Sequence, residues 1–440
     1  MKGSRAFEEI YDHVKNLEII DTHEHLPAFE TLREKNTDIL KEYLTHYFNC
    51  DLISAGLSQS DYERVIDSDY PLMDRWSLVE PYWEAAGNTG YARALNISVR
   101  ELYGIESISR DTIEQLNGKF MKSLEPGHFR LVLKEKSKIK VSLLHDIPKE
   151  NERIIFTSNL KCDEEFFRSV YPVDACIFPQ SAEDIERIEK EYGKKICCID
   201  DWLEACEVLL DNALQNGAVA LKSALAYVRT LLYKRVTNNE AEEDFNDIFR
   251  NRHMRTYMQQ AFTVGSRFQD YMMHFVLRLA NRKNLAIQFH TGLQEGNGNI
   301  VYNSDPSLLS NLFLEYPDVK FDLFHMGYPY QHVVSALAKN FPNVYIDMCW
   351  AHIISPHASI NALMEWIDTV PVNKISAFGG DYLFIDAVVG HQYMARKNVS
   401  SALAKKVEED VFDTERAKKI AGQLFYENPC TIFSLEDTFH

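Results

Sequence analysis

Residues 17–26 read LEIIDTHEHL, and the rest of the chain takes its meaning from them. An apolar run ends in Asp21-Thr22-His23-Glu24-His25, the pattern of a buried strand that surfaces into a polar tip. Side chains two apart on a strand share a face, so His23 and His25 point the same way, about 7 Å apart along the backbone. Two neutral imidazoles so placed can converge on one divalent cation. A pair of surface histidines beside an N-terminal strand would look the same in isolation, so the later segments must decide.

A helix leads into this strand, since Phe7, Ile10, Tyr11, Val14 and Leu17 recur at helical spacing. Residues 27–126 are helical and aromatic in pattern, with pieces at 61–65, 73–85 and 98–103, and predict a helical insertion within a single domain of residues 1–440. Beyond Pro126, short apolar runs alternate with helical stretches, the mark of βα units around a parallel sheet. The runs are KVSLLH at 140–145, DACIF at 174–178, AVALK at 218–222, LAIQFH at 285–290, KFDLFH at 320–325, NVYIDM at 343–348 and KISAF at 374–378. With the first strand they make eight. The expected fold is therefore α/β, a (β/α)8 TIM-like barrel with the insertion after strand 1 and the active site at the C-terminal strand ends. A helix pair at 402–411 and 414–426 ends the pattern.

Composition narrows the partners. The chain's 440 residues are 45% apolar and 25% charged, as in a folded globular protein. Its 47 basic residues face 65 acidic ones, a net charge of -18, which argues against nucleic acid and anionic membrane, since both need a cationic footprint. A small-molecule substrate is expected, and a homo-oligomer stays open. The opening residues lack the apolar stretch of a signal peptide and no membrane-length apolar run follows, so the expected location is the cytoplasm. Eight cysteines form no CxxC pair and read mostly as buried thiols.

A residue just after a barrel strand faces the mouth, and the residue types at these ends are far from random. Strand one ends in His23 and His25, strand four in Lys222, strand five in His290 and strand six in His325, while strand eight runs through Gly379-Gly380 into Asp381. His23, His25 and His290 are assigned as imidazole ligands of a divalent metal, zinc first in expectation, with Asp381 as fourth ligand and general base. Such a set leaves a net charge near +1 and draws the pKa of a bound water from 15.7 towards about 7. His325 is placed to polarise a substrate carbonyl or donate to a leaving group. Taken singly, His290 and His325 could be core histidines and Asp381 a helix cap. Lys222 could be carbamylated and bridge a second metal, pair with the substrate or Asp381, or snorkel to solvent. Tyr227 and Arg229 lie in the loop after it, and arginine is the usual bidentate partner of a carboxylate, though a surface arginine reads the same. In the insertion, Trp83 and Arg93, with Trp76 and Tyr91, could wall the pocket or simply pack. Glu295, Tyr328, Trp350 and His352 follow strands five to seven, where they could touch the substrate or support the residues that do.

DTHEHL, FHTG, FHMGYPY and FGGD, in this order, resemble the amidohydrolase superfamily and most closely its amidohydrolase-related branch. LKSALAYVR, NVYIDM and NPCTIF also resemble the amidohydrolase-like domain fused to glutamine-synthetase-like proteins. The resemblance implies a barrel holding one or two divalent metals and hydrolysing amide, ester or other C–N bonds, with His23, His25, His290 and Asp381 on ligand positions. It puts Lys222 where binuclear members carry a carbamylated lysine, in surroundings unlike theirs. A second resemblance is to the uronate isomerases, which share the HxH, the helical insertion and the late aspartate; GHQYMARKNVSSAL after Asp381 is similar to theirs. Metal-dependent hydrolysis ranks first on these motifs, and isomerisation or decarboxylation on the same scaffold second.

Overall fold

The structure is a computed structural model that describes residues 4–145, 149–150, 153–154, 158–251 and 265–438. Eight parallel strands form one sheet in sequence order: β1 (Ile19–Glu24), β2 (Ile139–Leu144), β3 (Phe167–Pro172), β4 (Ala220–Ser223), β5 (Ile287–Phe289), β6 (Phe321–Leu323), β7 (Val344–Asp347) and β8 (Ile375–Ser376). All six residues of β1 are buried, as expected of a strand covered on both faces. The ring closes where β1 meets the segment after β8. There Thr22 N–H donates to the Phe378 carbonyl at 3.0 Å, Asp381 N–H to that of His23 at 2.8 Å, and His25 N–H to that of Tyr382 at 3.1 Å. The fold is a (β/α)8 barrel.

One strand lies elsewhere than the pattern indicated. The run DACIF at 174–178 is not the third strand; Asp174–Ile177 is a helical turn, and the strand is the preceding FRSVYP. Within it Val170 turns into the barrel while Phe167 and Tyr171 pack outward, the alternation that a short apolar run cannot reveal. Pro172 stands at the strand's end, and the Asp174 carboxylate accepts from Ala224 N–H at 2.8 Å, which ties the turn to the end of β4.

The barrel has an apolar floor. Ile20, Val141, Leu143, Val170, Ala220 and Ala286 meet Cys430, Ile432, Phe433 and Leu435 from the C-terminal tail, which plugs the N-terminal end of the ring. The opposite rim carries the helical segment 27–126. Its helices include α2 (Leu72–Ala86) and α3 (Gly90–Tyr103), which follow the leading helix α1 (Arg5–Val14). Their core, with Phe48, Trp76 and Trp83, is continuous with Phe324, Cys349, Trp350 and Tyr382 at the strand ends. Helix α4 (Ala387–Glu408) holds α3 in place. A Cβ at Gly390 would sit 1.9 Å from the Ala94 carbonyl, so only glycine permits this approach, and Gly390 N–H donates to Ser98 Oγ at 2.9 Å. No helix among the described residues is long and apolar enough to cross a membrane.

Candidate metal centre

His23 and His25 leave β1 with their Nε2 atoms 3.2 Å apart, and Asp381 Oδ1 stands 3.5 Å from the first and 3.2 Å from the second. These are close to the edges of a tetrahedron, about 3.3–3.4 Å, whose corners lie about 2.0–2.1 Å from a central zinc-like ion. Proton bookkeeping points the same way. His25 Nδ1 lies 2.8 Å from the His145 carbonyl, which can only accept, so the His25 proton is on Nδ1 and its Nε2 is a bare lone pair. His23 Nδ1 is buried without a partner. At most one proton serves the three converging atoms, and a cation would satisfy all of them. Burial, then the Lys222 charge, hold the His23 pKa well below its ordinary value, so the ring is neutral at physiological pH. Burial alone would raise the Asp381 pKa, but its interactions with His25, His23 and His325 outweigh it and keep the carboxyl well below the usual range.

A third imidazole, His145 at the end of β2, lies beside this pair, with ring centroids 5.6 Å from His23 and 5.0 Å from His25 and its Nδ1 unpartnered. It ends the run KVSLLH, so the strand-end rule that singled out His290 and His325 applies to it equally.

His290, expected as the third imidazole ligand, has both ring nitrogens engaged elsewhere. Its Nε2 lies 2.9 Å from the Leu293 carbonyl and its Nδ1 2.9 Å from His325 Nε2. The Leu293 carbonyl can only accept, so it calls for a proton on His290 Nε2 and leaves His290 Nδ1 as the lone pair facing His325 Nε2. Both rings are kept neutral chiefly by burial; the His325 pKa falls to about 3. The Cys349 carbonyl, 3.2 Å from His325 Nδ1, makes the same demand on that ring, so His325 donates to Cys349 or to His290 according to which nitrogen holds its proton, and Asp381 Oδ2 lies 3.8 Å from Nδ1. With Cys349 Sγ, His325 and Asp381 form a second group of close ligand-type atoms.

Lys222 is fully buried, with Nζ unpartnered and 3.8 Å from the Phe324 ring centroid; burial lowers its pKa to about 8 against the charges of Asp381, Cys349, Asp174 and Asp322. It does not snorkel. From the insertion, Tyr47 reaches the site: burial and the facing Asp381 charge push its phenol pKa well up, and its ring stacks on Trp350 at 4.5 Å and Tyr91 at 5.4 Å. No sequence periodicity marked Tyr47.

The remaining candidates divide. Tyr227 is at the site's edge, its ring 4.6 Å from His290 and its hydroxyl accepting from Glu295 N–H at 2.9 Å. Tyr328 follows His325 and accepts from Leu293 N–H through its carbonyl, while its ring packs on the main core. Arg229 is not held out to a substrate carboxylate; it pairs with Asp270 at 2.6 Å, donates to Gln269 and two carbonyls, and lies over the Tyr233 ring. Its bidentate capacity is spent inside the fold. Trp83 is buried against Phe48 and Trp76 in the insertion's core, and Arg93 is exposed on α3, so neither lines the metal centre.

Residues 262–414, which carry His290, His325 and Asp381, match the family model described as Amidohydrolase. "Protein fluG" of Emericella nidulans is 24% identical over 59% of this chain, a match spanning 30% of that protein's own length. The uronate isomerase of Caldanaerobacter subterraneus subsp. tengcongensis is 25% identical over 69% of this chain and 64% of its own length. The uronate isomerase of Thermotoga maritima is 21% identical over 98% of this chain and 97% of its own, and its crystal structure superposes with a TM-score of 0.79 at 17% identity over 98% of both chains. That likeness shows the shared barrel. The resemblance to a domain fused to glutamine-synthetase-like proteins finds no support in these matches.

Proposed function

We propose that this chain is a metal-dependent isomerase of small sugar acids, interconverting an aldose acid and a ketose acid, in place of the hydrolase its motifs suggested first. The observation that carries this reading is a pair of proton-transfer groups facing one another, the carboxylate of Asp381 and the His325 imidazole, with Oδ2 and Nδ1 3.8 Å apart. The near full-length similarity to uronate isomerases, insertion included, supports it.

His23, His25 and Asp381 Oδ1 would hold the cation, which on binding supplies Lewis acidity to a substrate carbonyl and its neighbouring hydroxyl. Two imidazoles and a carboxylate suit zinc, manganese, iron(II) or nickel. Isomerisation removes one proton from the carbon beside the carbonyl and one from its hydroxyl, and returns protons to the old carbonyl carbon and oxygen, with no water consumed. Asp381 Oδ2 and His325 Nδ1 are placed to accept and return protons, and His290, 2.9 Å from His325 Nε2, orients that ring. Lys222 Nζ offers a buried positive charge to the substrate's oxygens. The aromatic roof of Tyr47, Tyr91 and Trp350 keeps water out and presents one phenol to the site.

The test is incubation of metal-loaded protein with uronates, small amides and N-acyl amino acids in D2O. The expected result is one product isomeric with a uronate and carrying carbon-bound deuterium. Products whose summed composition has gained water would return the chain to the hydrolases.

A further inference from the structure

Asp21 and Glu24, the acids interleaved with the paired histidines, are both fully buried, and neither joins His23, His25 and Asp381 at the metal centre. Their carboxylates face the backbone on either side of Asp381. Gly380 N–H donates to Asp21 Oδ1 at 2.9 Å, Asp381 N–H to the His23 carbonyl at 2.8 Å, and Tyr382 N–H to Glu24 Oε2 at 2.8 Å. Three successive N–H groups thus serve acceptors on one strand. In extended backbone successive N–H groups point to opposite sides, so this pattern requires a kink. It is present at Asp381, whose φ of +60° lies in the left-handed region that a residue with a Cβ adopts only where its surroundings enforce it. Gly380 completes the fit: a Cβ there would lie 1.7 Å from Glu24 Oε1, so the carboxylate fills the space a side chain would need.

We infer that Asp21 and Glu24 are positioning residues, whose carboxylates grip the backbone of residues 380–382 and so turn Asp381 back onto His23 and His25. One pentapeptide then supplies both imidazoles and the mould for the distant carboxylate that joins them. The inference rests on the reading of Asp381 as a metal-holding group, and the two can fail separately.

Zinc binding by the full-length protein, measured by competition with a chromophoric chelator, tests it alongside the thermal unfolding of the metal-free protein. Glu24→Met, of similar length but with no acceptor, is expected to weaken zinc binding about 10–100-fold. Glu24→Gln, whose amide oxygen still accepts from Tyr382 N–H, is expected to stay within about threefold of wild type. A crystal structure of Glu24→Met is expected to show residue 381 at negative φ. Asp21→Leu poses the same question from the Gly380 side and stands in if Glu24→Met does not fold. Wild-type zinc affinity in the Met and Leu variants, or equal losses in the Met and Gln variants, overturns the positioning role. Asp381→Asn separates the two readings: if it binds zinc as wild type does, Asp381 is not a metal-holding group, whatever the Glu24 variants show.

Discussion

The two ends of the barrel are made from the same strands and obey different rules. At the floor Ile20, Val141, Val170 and Ala220 close on Phe433 and Leu435, with shape and apolar area as the only requirement. At the rim, a few residues further along, β1 carries His23 and Glu24 and β4 carries Lys222, all buried and several with unpartnered polar atoms. Buried polar atoms without partners cost about 1–3 kcal/mol each. The floor therefore supplies stability and the rim consumes it, which is the signature of a site built for a ligand.

The largest expected effects set the two ends apart. Asp381→Asn should lower turnover at least about 100-fold and weaken metal binding comparably, with little change in the unfolding of the metal-free protein. Phe433→Ala should do the reverse, costing about 3–5 kcal/mol of stability while turnover per folded molecule stays near wild type. Calorimetry and steady-state kinetics on both variants check this; if the floor variant lost turnover in proportion to the rim variant, the division would fail.

Lys222→Met sharpens the contrast. The native pKa of about 8 lies below the ordinary 10.5, so at pH 7 the fold carries a charge that burial opposes by about 3 kcal/mol. An apolar side chain of similar length should raise the unfolding temperature of the metal-free protein while kcat/KM for a carboxylated substrate falls about tenfold or more. Unchanged stability would mean that Lys222 has a partner in solution.

The rim was more legible in the sequence than the middle of the chain. His23, His25, His325 and Asp381 each end an apolar run, so strand position alone assigned them to one face. His290 could be placed at the rim by the same rule, but which groups its ring nitrogens meet, Leu293 among them, is a rotamer and tautomer question that spacing does not encode. Arg229 misled for a related reason: Asp270 is a distant residue on a helix, and only packing brings the two together. Tyr47 could not be read at all, since its place over the mouth depends on how the inserted helices dock. The misplaced third strand shows the limit of short apolar runs: DACIF is the more apolar segment, yet FRSVYP is the one whose Val170 and Tyr171 find opposite cores to pack against.

The smallest effect concerns pH. His352, fully buried behind the rim, lies 2.8 Å through Nε2 from the Ala377 carbonyl, and its Nδ1 accepts from Asn398 at 3.3 Å. Both ring nitrogens are thus satisfied in the neutral form, and burial lowers the pKa to about 4, against the Ala377 hydrogen bond, which raises it. Above pH 6.5 the native and unfolded chains are both neutral here, and the site has no pH dependence. Between about 6.5 and 4 the unfolded chain takes up a proton that the native chain refuses, so stability falls with pH by about 3 kcal/mol in all and levels off below. Asp347, raised by burial to about 7, acts in the opposite sense, being protonated when native and ionised when unfolded over much of the same window. The two partly cancel in the wild-type curve, so the His352 contribution must be read as a difference. Denaturant unfolding of wild type and His352→Gln from pH 7 to pH 4 should give curves that converge by about 3 kcal/mol towards the acid end, whereas wild type and Phe433→Ala should run parallel. Parallel curves for both pairs would show that His352 titrates normally and that its burial carries no electrostatic cost.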